Sequence, residues 1–396
     1  MYLIRNFLFI LISQISVNAY SYQILQYSGC GGSRGRNSST AEKRACCSKA
    51  RIKWPNGRLK IGRDSLSFAK NTPYTNEFIK AWSRWNGTPA KIQISTFGSD
   101  NLKANLYNGR NEVWFQDGNK TSRLSKNALG VMYADFNYLT CTVRETDIIF
   151  NSAYKFALES DSAIFHRSLS LKGQAATQYH SFMATALHEL GHALGLAHEA
   201  ETYSTMGVGP SGTRNGNKVY IGPGEDSISG AVSIYGVDPK SSEDLSVSNF
   251  VYQGVFKALG QDPYGINKRS HILDKNQKSL PMLRRDNIDT FELKRNTEYK
   301  VQVTAEQNSV KKTLKKIKFG IFLSKNNIIS TKDKLIAESL TGTLSRDQSF
   351  KKTIGFRIPS STKPGRYHLG VFINFDRKFS EKTYANNVTF YSIDVI

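Results

Sequence analysis

One short stretch, His188-Glu189-Leu190-Gly191-His192-Ala193-Leu194-Gly195-Leu196-Ala197-His198, limits what this chain can be more than any other part of it. On a helix, positions four apart share a face, so His188 and His192 point the same way. Two such imidazoles can each give one nitrogen to a zinc ion at roughly 2.0–2.1 Å. Glu189 lies beside that face but too far round the helix to be a ligand, where a general base for an activated water belongs. A continuing helix would carry His198 away. Gly195 can adopt the left-handed conformation that ends a helix and turns the chain back, so that His198 becomes a third ligand. Three neutral nitrogens leave a fourth position open, the layout of a catalytic rather than a structural zinc. The bland alternative is a buried helix carrying three hydrogen-bonded histidines. It leaves the placement of Glu189 and Gly195 unexplained.

These residues resemble the long zinc-binding consensus of the metzincin peptidases. That family also places a methionine turn beneath the metal, and Ser204-Thr205-Met206-Gly207 follows His198 at a suitable distance. The resemblance is matrixin-like, with further echoes in Ala81-Trp82-Ser83-Arg84-Trp85-Asn86, in Glu145-Thr146-Asp147-Ile148-Ile149-Phe150-Asn151, and in the stretch from Asp226 to Gly236. It covers about residues 50–237. It implies one catalytic Zn2+ held by His188, His192 and His198, Glu189 as catalytic base, and Gly195 and Met206 in structural roles. Ca2+ accompanies the fold in many relatives, but its oxygen ligands are not assignable here. A second, structural zinc is not expected, because only His166 and His180 lie nearby. Glu199 is astacin-like, yet Val208 stands where astacins place a tyrosine ligand.

Compartment is read from the N-terminus. Arg5 precedes an apolar run from Phe7 to Ile15, and Val17-Asn18-Ala19 forms a small-residue cleavage pattern, so residues 1–19 read as an export signal. The run is short for a membrane span, and no other stretch could cross a bilayer. Residues 20–50 read as a Cys-containing arm. Cys30, Cys46, Cys47 and Cys141 form an even set, which in an exported protein suggests disulfides. Adjacent Cys46 and Cys47 are poor partners for each other, and Cys141 is expected to tie the arm to the catalytic domain. A matrixin-type cysteine latch is not expected, because Cys30 lacks the arginine and proline of that motif.

Net charge is +22. The excess is spread over both halves of the chain and suits an anionic setting such as a cell envelope or an acidic substrate. A solvated basic surface explains it equally well. No nucleic-acid recognition motif accompanies it.

Along the chain, residues 54–57 read as a turn. A helix is expected over 75–85 with Thr75 as its cap, from the spacing of Phe78, Ile79, Trp82 and Trp85. Strands are expected at 92–95, 112–116, 130–136 and 147–150. A strand at 163–171 is the candidate edge for an extended substrate, with 207–224 as the far wall of the cleft. A closing helix follows, capped by Asp226 and ended by Gly236.

Residues 238–243 read as a linker. Beyond it come alternating runs at 245–251, 299–303, 319–323, 354–358, 367–373 and 388–396, separated by turn signals such as Lys363-Pro364-Gly365. The passages from Phe322 to Asp333 and from Ile358 to Val371, with Asn386-Asn387, resemble the CARDB type of immunoglobulin-like domain. The lysines Lys311, Lys312, Lys315, Lys316 and Lys318 read as a solvated edge that resists strand aggregation.

The expected architecture is therefore an α+β metzincin-type catalytic domain over 51–237, with a twisted mixed sheet, an active-site helix and a Met-turn. An all-β immunoglobulin-like sandwich follows over 244–396. The expected activity is that of a secreted zinc endopeptidase acting on protein or peptide substrates, with Glu189 taking a proton from a zinc-activated water. The competing function is an envelope-binding adhesion protein whose zinc domain is idle.

Overall fold

The computed structural model describes residues 51–96, 103–137, 140–161, 179–198, 204–207, 212–216, 218–248, 271–285, 288–308, 313–345 and 349–396. The export signal, the arm, the strand expected at 163–171, His166, Glu199, Val208, Lys311 and Lys312 lie outside the described residues.

The first region is built on a five-stranded sheet. Its strands are β1 (Arg58–Arg63), β2 (Gln93–Thr96), β3 (Glu112–Gln116), β4 (Gly130–Asn137) and β5 (Thr142–Asn151), in the order β2-β1-β3-β5-β4. All pairings are parallel except β4 against β5, so the sheet ends in one antiparallel edge strand. β1 was not expected. Its sequence, Arg-Leu-Lys-Ile-Gly-Arg, buries Leu59 and Ile61 and sends the intervening lysine outward, a period-two pattern carried by only two apolar residues. β5 runs five residues further toward the N-terminus than its apolar core suggested, because Glu145 and Asp147 are buried within it.

Helix α1 (Pro73–Asn86) packs on this sheet. Its cap is Thr72, whose hydroxyl accepts the Thr75 N–H, and Pro73 opens the first turn where a missing N–H costs nothing. This corrects the expectation of Thr75 as cap. Thr75 is fully buried and donates its hydroxyl to the Ala69 carbonyl instead. Phe78, Ala81, Trp82 and Trp85 form the buried stripe. Phe68, Phe115, Phe150 and Phe182 lie against one another with ring centroids 4.8–6.2 Å apart, and Phe78 lies edge-on to Phe68 and Phe150. Truncating a fully buried phenylalanine such as Phe150 in this cluster would cost about 3–5 kcal/mol.

Short strands β6 (Lys155–Ala157) and β7 (Tyr179–Ser181) pair in parallel and lead into helix α2 (Phe182–Ala193), capped by the Ser181 hydroxyl. A hairpin follows, β8 (Gly212–Asn215) with β9 (Lys218–Ile221), then helix α3 (Glu225–Tyr235). Here too the expected cap is corrected. Gly224 occupies the N-cap, and Asp226 lies buried inside the first turn, where a carboxylate favours the helix dipole. Gly236, at φ 81°, ends the helix.

The second region is all β. One sheet places β14 (Glu298–Gln307) between β19 (Ser349–Arg357) on one side and β10 (Leu245–Ser248) with β11 (Ile272–Asp274) on the other. The other contains β12 (Leu283–Arg285), β13 (Ile288–Leu293), β21 (Val388–Val395), β20 (Gly365–Ile373), β16 (Lys318–Ser324) and β17 (Lys334–Leu340), in that order. A minor pair joins β15 (Thr313–Lys315) to β18 (Thr343–Ser345). Val301 and Val303 from the first sheet share a core with Ile321, Leu369, Val371 and Ile393 from the second. All six expected runs contain strands; the ends at Leu245, Ile373 and Val388 coincide, and the other described ends differ by one to five residues.

Candidate metal centre

Three imidazoles converge at the C-terminal end of α2. The Nε2 atoms of His188 and His198 lie 3.0 Å apart, and those of His192 and His198 lie 3.1 Å apart. Tetrahedral coordination at 2.0–2.1 Å requires donor separations of about 3.3 Å, so the spacing matches a shared ion with a shift of a few tenths of an ångström. The far side of two rings fixes their protons. His188 Nδ1 lies 2.8 Å from the Thr205 carbonyl and His192 Nδ1 lies 2.8 Å from the Leu196 carbonyl. A carbonyl only accepts, so each Nδ1 carries its proton and each Nε2 presents a lone pair inward.

Electrostatics favour the same neutral state. Burial and the neighbouring rings hold His188 down at about 4 and His192 well below its usual range, and burial lowers His198. Neutral imidazoles are what a metal ion needs. The set His188, His192 and His198 is the one cluster of three such donors among the described residues. The donor chemistry and the inward lone pairs therefore fit zinc.

The turn that delivers His198 is built by hydrogen bonds. Leu194 caps α2, the Gly195 N–H donates to the His192 carbonyl at 2.8 Å, and the Leu196 N–H reaches back to Gly191 at 3.0 Å. This is the Schellman pattern, and Gly195 occupies its left-handed position at φ 93°. A Cβ there would also lie 2.4 Å from the Ile52 carbonyl oxygen, so glycine is required twice over. The last carbonyls of the helix are taken up from elsewhere. Trp54 Nε1–H donates to Ala193 at 2.7 Å, and the Tyr235 hydroxyl donates to Leu194 at 2.9 Å. Neither residue was singled out in the sequence.

Met206 lies buried beneath the helix with its sulfur against Gly191, where a Cβ would come within 2.3 Å of it. The residue before it links the turn to the cluster. Thr205 gives its carbonyl to His188, and its N–H and hydroxyl donate to the carbonyls of Pro223 and Gly222.

Glu189 is 4% exposed, and burial pushes its carboxyl up to about 8. Its Oε2 has no hydrogen-bond partner among the described residues. Against it lies Gly130, the first residue of the antiparallel edge strand β4, where a Cβ would sit 2.9 Å from Glu189 Oε1. The strand beside the glutamate is thus β4, a placement that its sequence did not reveal.

His180 sits on β7 with its ring edge-on to Tyr154 at 5.1 Å, away from the cluster. Cys141 is buried at φ 54°, and no cysteine among the described residues is free. No helix among the described residues is long and apolar enough to cross a membrane.

Comparison with known proteins finds one family model that matches part of the chain. Residues 67–236 match the matrixin model of peptidase family M10. No curated protein matches the sequence. Among solved structures, the crystal structure of a CARDB domain from a Pyrococcus furiosus protein, in complex with di-metal ions, is similar at 12% identity. The match covers 39% of this chain and 90% of that one, with a TM-score of 0.23. A solution structure of the CARDB domain from the same organism gives 14% identity over 32% and 94%, with a TM-score of 0.21. A Niemann-Pick type C2 protein from the Japanese carpenter ant gives 8% identity over 27% and 80%, with a TM-score of 0.21. Likenesses at these TM-scores carry no argument about function. The matrixin match supports a metallopeptidase of the metzincin type, with protein or peptide substrates. The chain thus joins a matrixin-type segment over residues 67–236, with the three-histidine cluster inside it, to an all-β region that follows.

Proposed function

We propose that this protein is a secreted zinc-dependent endopeptidase. The observation that carries the reading is the convergence of three Nε2 atoms beside a buried glutamate, one of whose oxygens has no partner among the described residues. His188, His192 and His198 would hold the ion. A zinc bound there would supply Lewis acidity toward a scissile carbonyl and a water.

The chain's own residues do the rest. Thr205 and Leu196 fix the tautomers of two ligands through their carbonyls. Glu189 stands in a dry site, where burial alone would hold it protonated near neutral pH. Next to a dication the charged form is favoured, and the carboxylate falls into the range where it can take a proton. Glu189 accepts the proton of the attacking water and returns it to the departing amine. The antiparallel edge strand β4 ends the sheet beside Glu189, so an extended peptide can add along it with backbone hydrogen bonds.

Export rests on the signal-like residues 1–19, and a disulfide from Cys141 to the arm rests on the even cysteine set together with the absence of a free cysteine among the described residues. The net charge of +22 is compatible with attachment to an anionic envelope. The deciding experiment is Glu189→Ala. The variant should keep one zinc per chain and lose nearly all cleavage of a casein or peptide substrate. A variant as active as the parent removes Glu189 from this role.

A further inference from the structure

The β8–β9 hairpin lies between the metal centre and the C-terminal sandwich, and it is bonded to both. At its tip, Asn215 makes two hydrogen bonds to one residue of the sandwich. Its Nδ2 donates to the Ile329 carbonyl at 2.9 Å, and its Oδ1 accepts the Ile329 N–H at 2.6 Å. The Gly216 N–H donates to the Asn327 carbonyl at 2.7 Å, and the Thr213 hydroxyl donates to the Ala385 carbonyl at 3.1 Å. Gly216 turns the hairpin at φ 64°, and a Cβ there would come within 2.7 Å of Ile328 Cγ1. The backbone of loop 326–329 therefore receives the hairpin tip as a complementary edge.

At its base, the hairpin runs from Ile221 straight into Gly222 and Pro223. Those two carbonyls accept from Thr205, and Thr205 in turn accepts from His188 Nδ1. Hydrogen bonds at the tip and just past the base of the hairpin, joined by the covalent run of β9, thus connect the sandwich to a ring of the metal centre. Arg84 pins the Ile221 carbonyl at 2.6 Å and pairs with Glu159, so the base is held from the catalytic side while the tip is held from the sandwich.

We propose that the C-terminal sandwich is a brace for the metal centre, and that Asn215 is the positioning residue through which it acts. By gripping the hairpin tip, the sandwich holds Gly222 and Pro223 where they fix Thr205, and with it the His188 ring. The assignment rests on the reading of the histidine cluster as a zinc site. Partners one step removed from a metal ligand commonly change metal affinity by about 10–100-fold, and a residue further along such a series should have a smaller effect.

The test uses the full chain and three variants. Asn215→Ala removes both bonds to Ile329, Asn215→Asp keeps the acceptor for the Ile329 N–H, and Gly216→Ala forces a methyl against Ile328. Lys334→Ala, on the exposed side of β17, is the control. Amide hydrogen exchange over residues 204–224 and zinc affinity by chelator competition are read on each, with kcat and KM on a short peptide. Exchange should rise about ten-fold in Asn215→Ala and Gly216→Ala, with Asn215→Asp between them and the parent. Zinc affinity should fall about three- to ten-fold in the same order. Parent-like exchange in both severe variants overturns the proposal. So does faster exchange with unchanged zinc affinity, which would make the hairpin contact a plain domain junction. A parent that takes up no zinc removes the reading of the site and this coupling to His188 with it, whereas an active parent with parent-like variants overturns the brace alone.

Discussion

Replacing Gly130 by alanine tests how tightly the catalytic glutamate is held. Gly130 opens the edge strand β4 with ordinary strand geometry, so the backbone accepts a side chain. The new methyl would sit 2.9 Å from Glu189 Oε1, 3.1 Å from Cγ and 3.2 Å from Cδ, whereas ordinary contact begins at 3.4 Å. Glu189 is buried on all sides, so the carboxylate must move by about 0.5 Å or β4 must give way. Overpacking of this kind costs about 1–3 kcal/mol, offset by about 0.4–1 kcal/mol from the stiffer unfolded chain. The net loss of stability should be about 1 kcal/mol. The effect on catalysis is larger. A displacement of 1 Å commonly costs about a hundred-fold in rate, so half of that should cost about ten-fold in kcat. Zinc content should stay at one per chain, because the methyl points at the glutamate and not at the histidines. Purified Gly130→Ala would be assayed for zinc by elemental analysis, for kcat and KM on a fluorogenic peptide, and for its urea midpoint. Parent-like kcat would refute the tight contact, and loss of zinc would refute the separation of base from ligands.

Three other outcomes are expected. Gly191→Ala drives a methyl to 2.3 Å from the Met206 sulfur, so it should lower stability by about 1–3 kcal/mol and weaken zinc retention, with both recovered in part by adding Met206→Ala. Removing the ion with a chelator should abolish cleavage while leaving the sandwich folded, since its core contains no part of the histidine cluster; far-UV circular dichroism that collapses on chelation would contradict this. Between pH 4.5 and 8 the raised carboxyls should lower the stability of the metal-free chain as pH rises, against an opposing gain from His188 that ends at pH 6.5. Burial raises Asp244 from 3.8 to about 7 and Glu381 from 4.5 to about 8, so their contribution is full at low pH and is lost as pH rises through those values. His188 is depressed from 6.5 to about 4, so its contribution is full above 6.5 and is lost as pH falls toward 4. Urea midpoints that climb steadily from pH 5 to pH 9 would contradict the two raised carboxyls.

The metal centre was legible because its chemistry demands particular residue types at fixed offsets. His188, His192, His198, Glu189, Gly195 and Met206 all fall in 19 consecutive positions, and the helix period brings most of them together. What surrounds them was not legible, because it arrives from far along the chain. Gly130 faces Glu189, and Trp54 and Tyr235 take up the last carbonyls of α2, each through tertiary packing alone. Apolar strands such as β16 and β20 declared themselves. Strands carried by few apolar residues, such as β1 and the largely exposed β17, did not. Nor does any local pattern announce that β13 runs parallel to β21, since pairing direction depends on how the intervening chain crosses. The expected caps Thr75 and Asp226 share one cause of error: each is a polar residue buried inside the first turn, two or three positions past the true N-cap.

The left-handed turn at Gly195 abuts the carbonyl of Ile52, and Trp54 reaches across to the end of the same helix. Residues 52–54 are therefore the sill on which the third ligand's loop rests. Any maturation that shortens the protein from its front must stop short of Ile52, because a cut beyond it would leave the end of α2 without its support and His198 without a fixed approach.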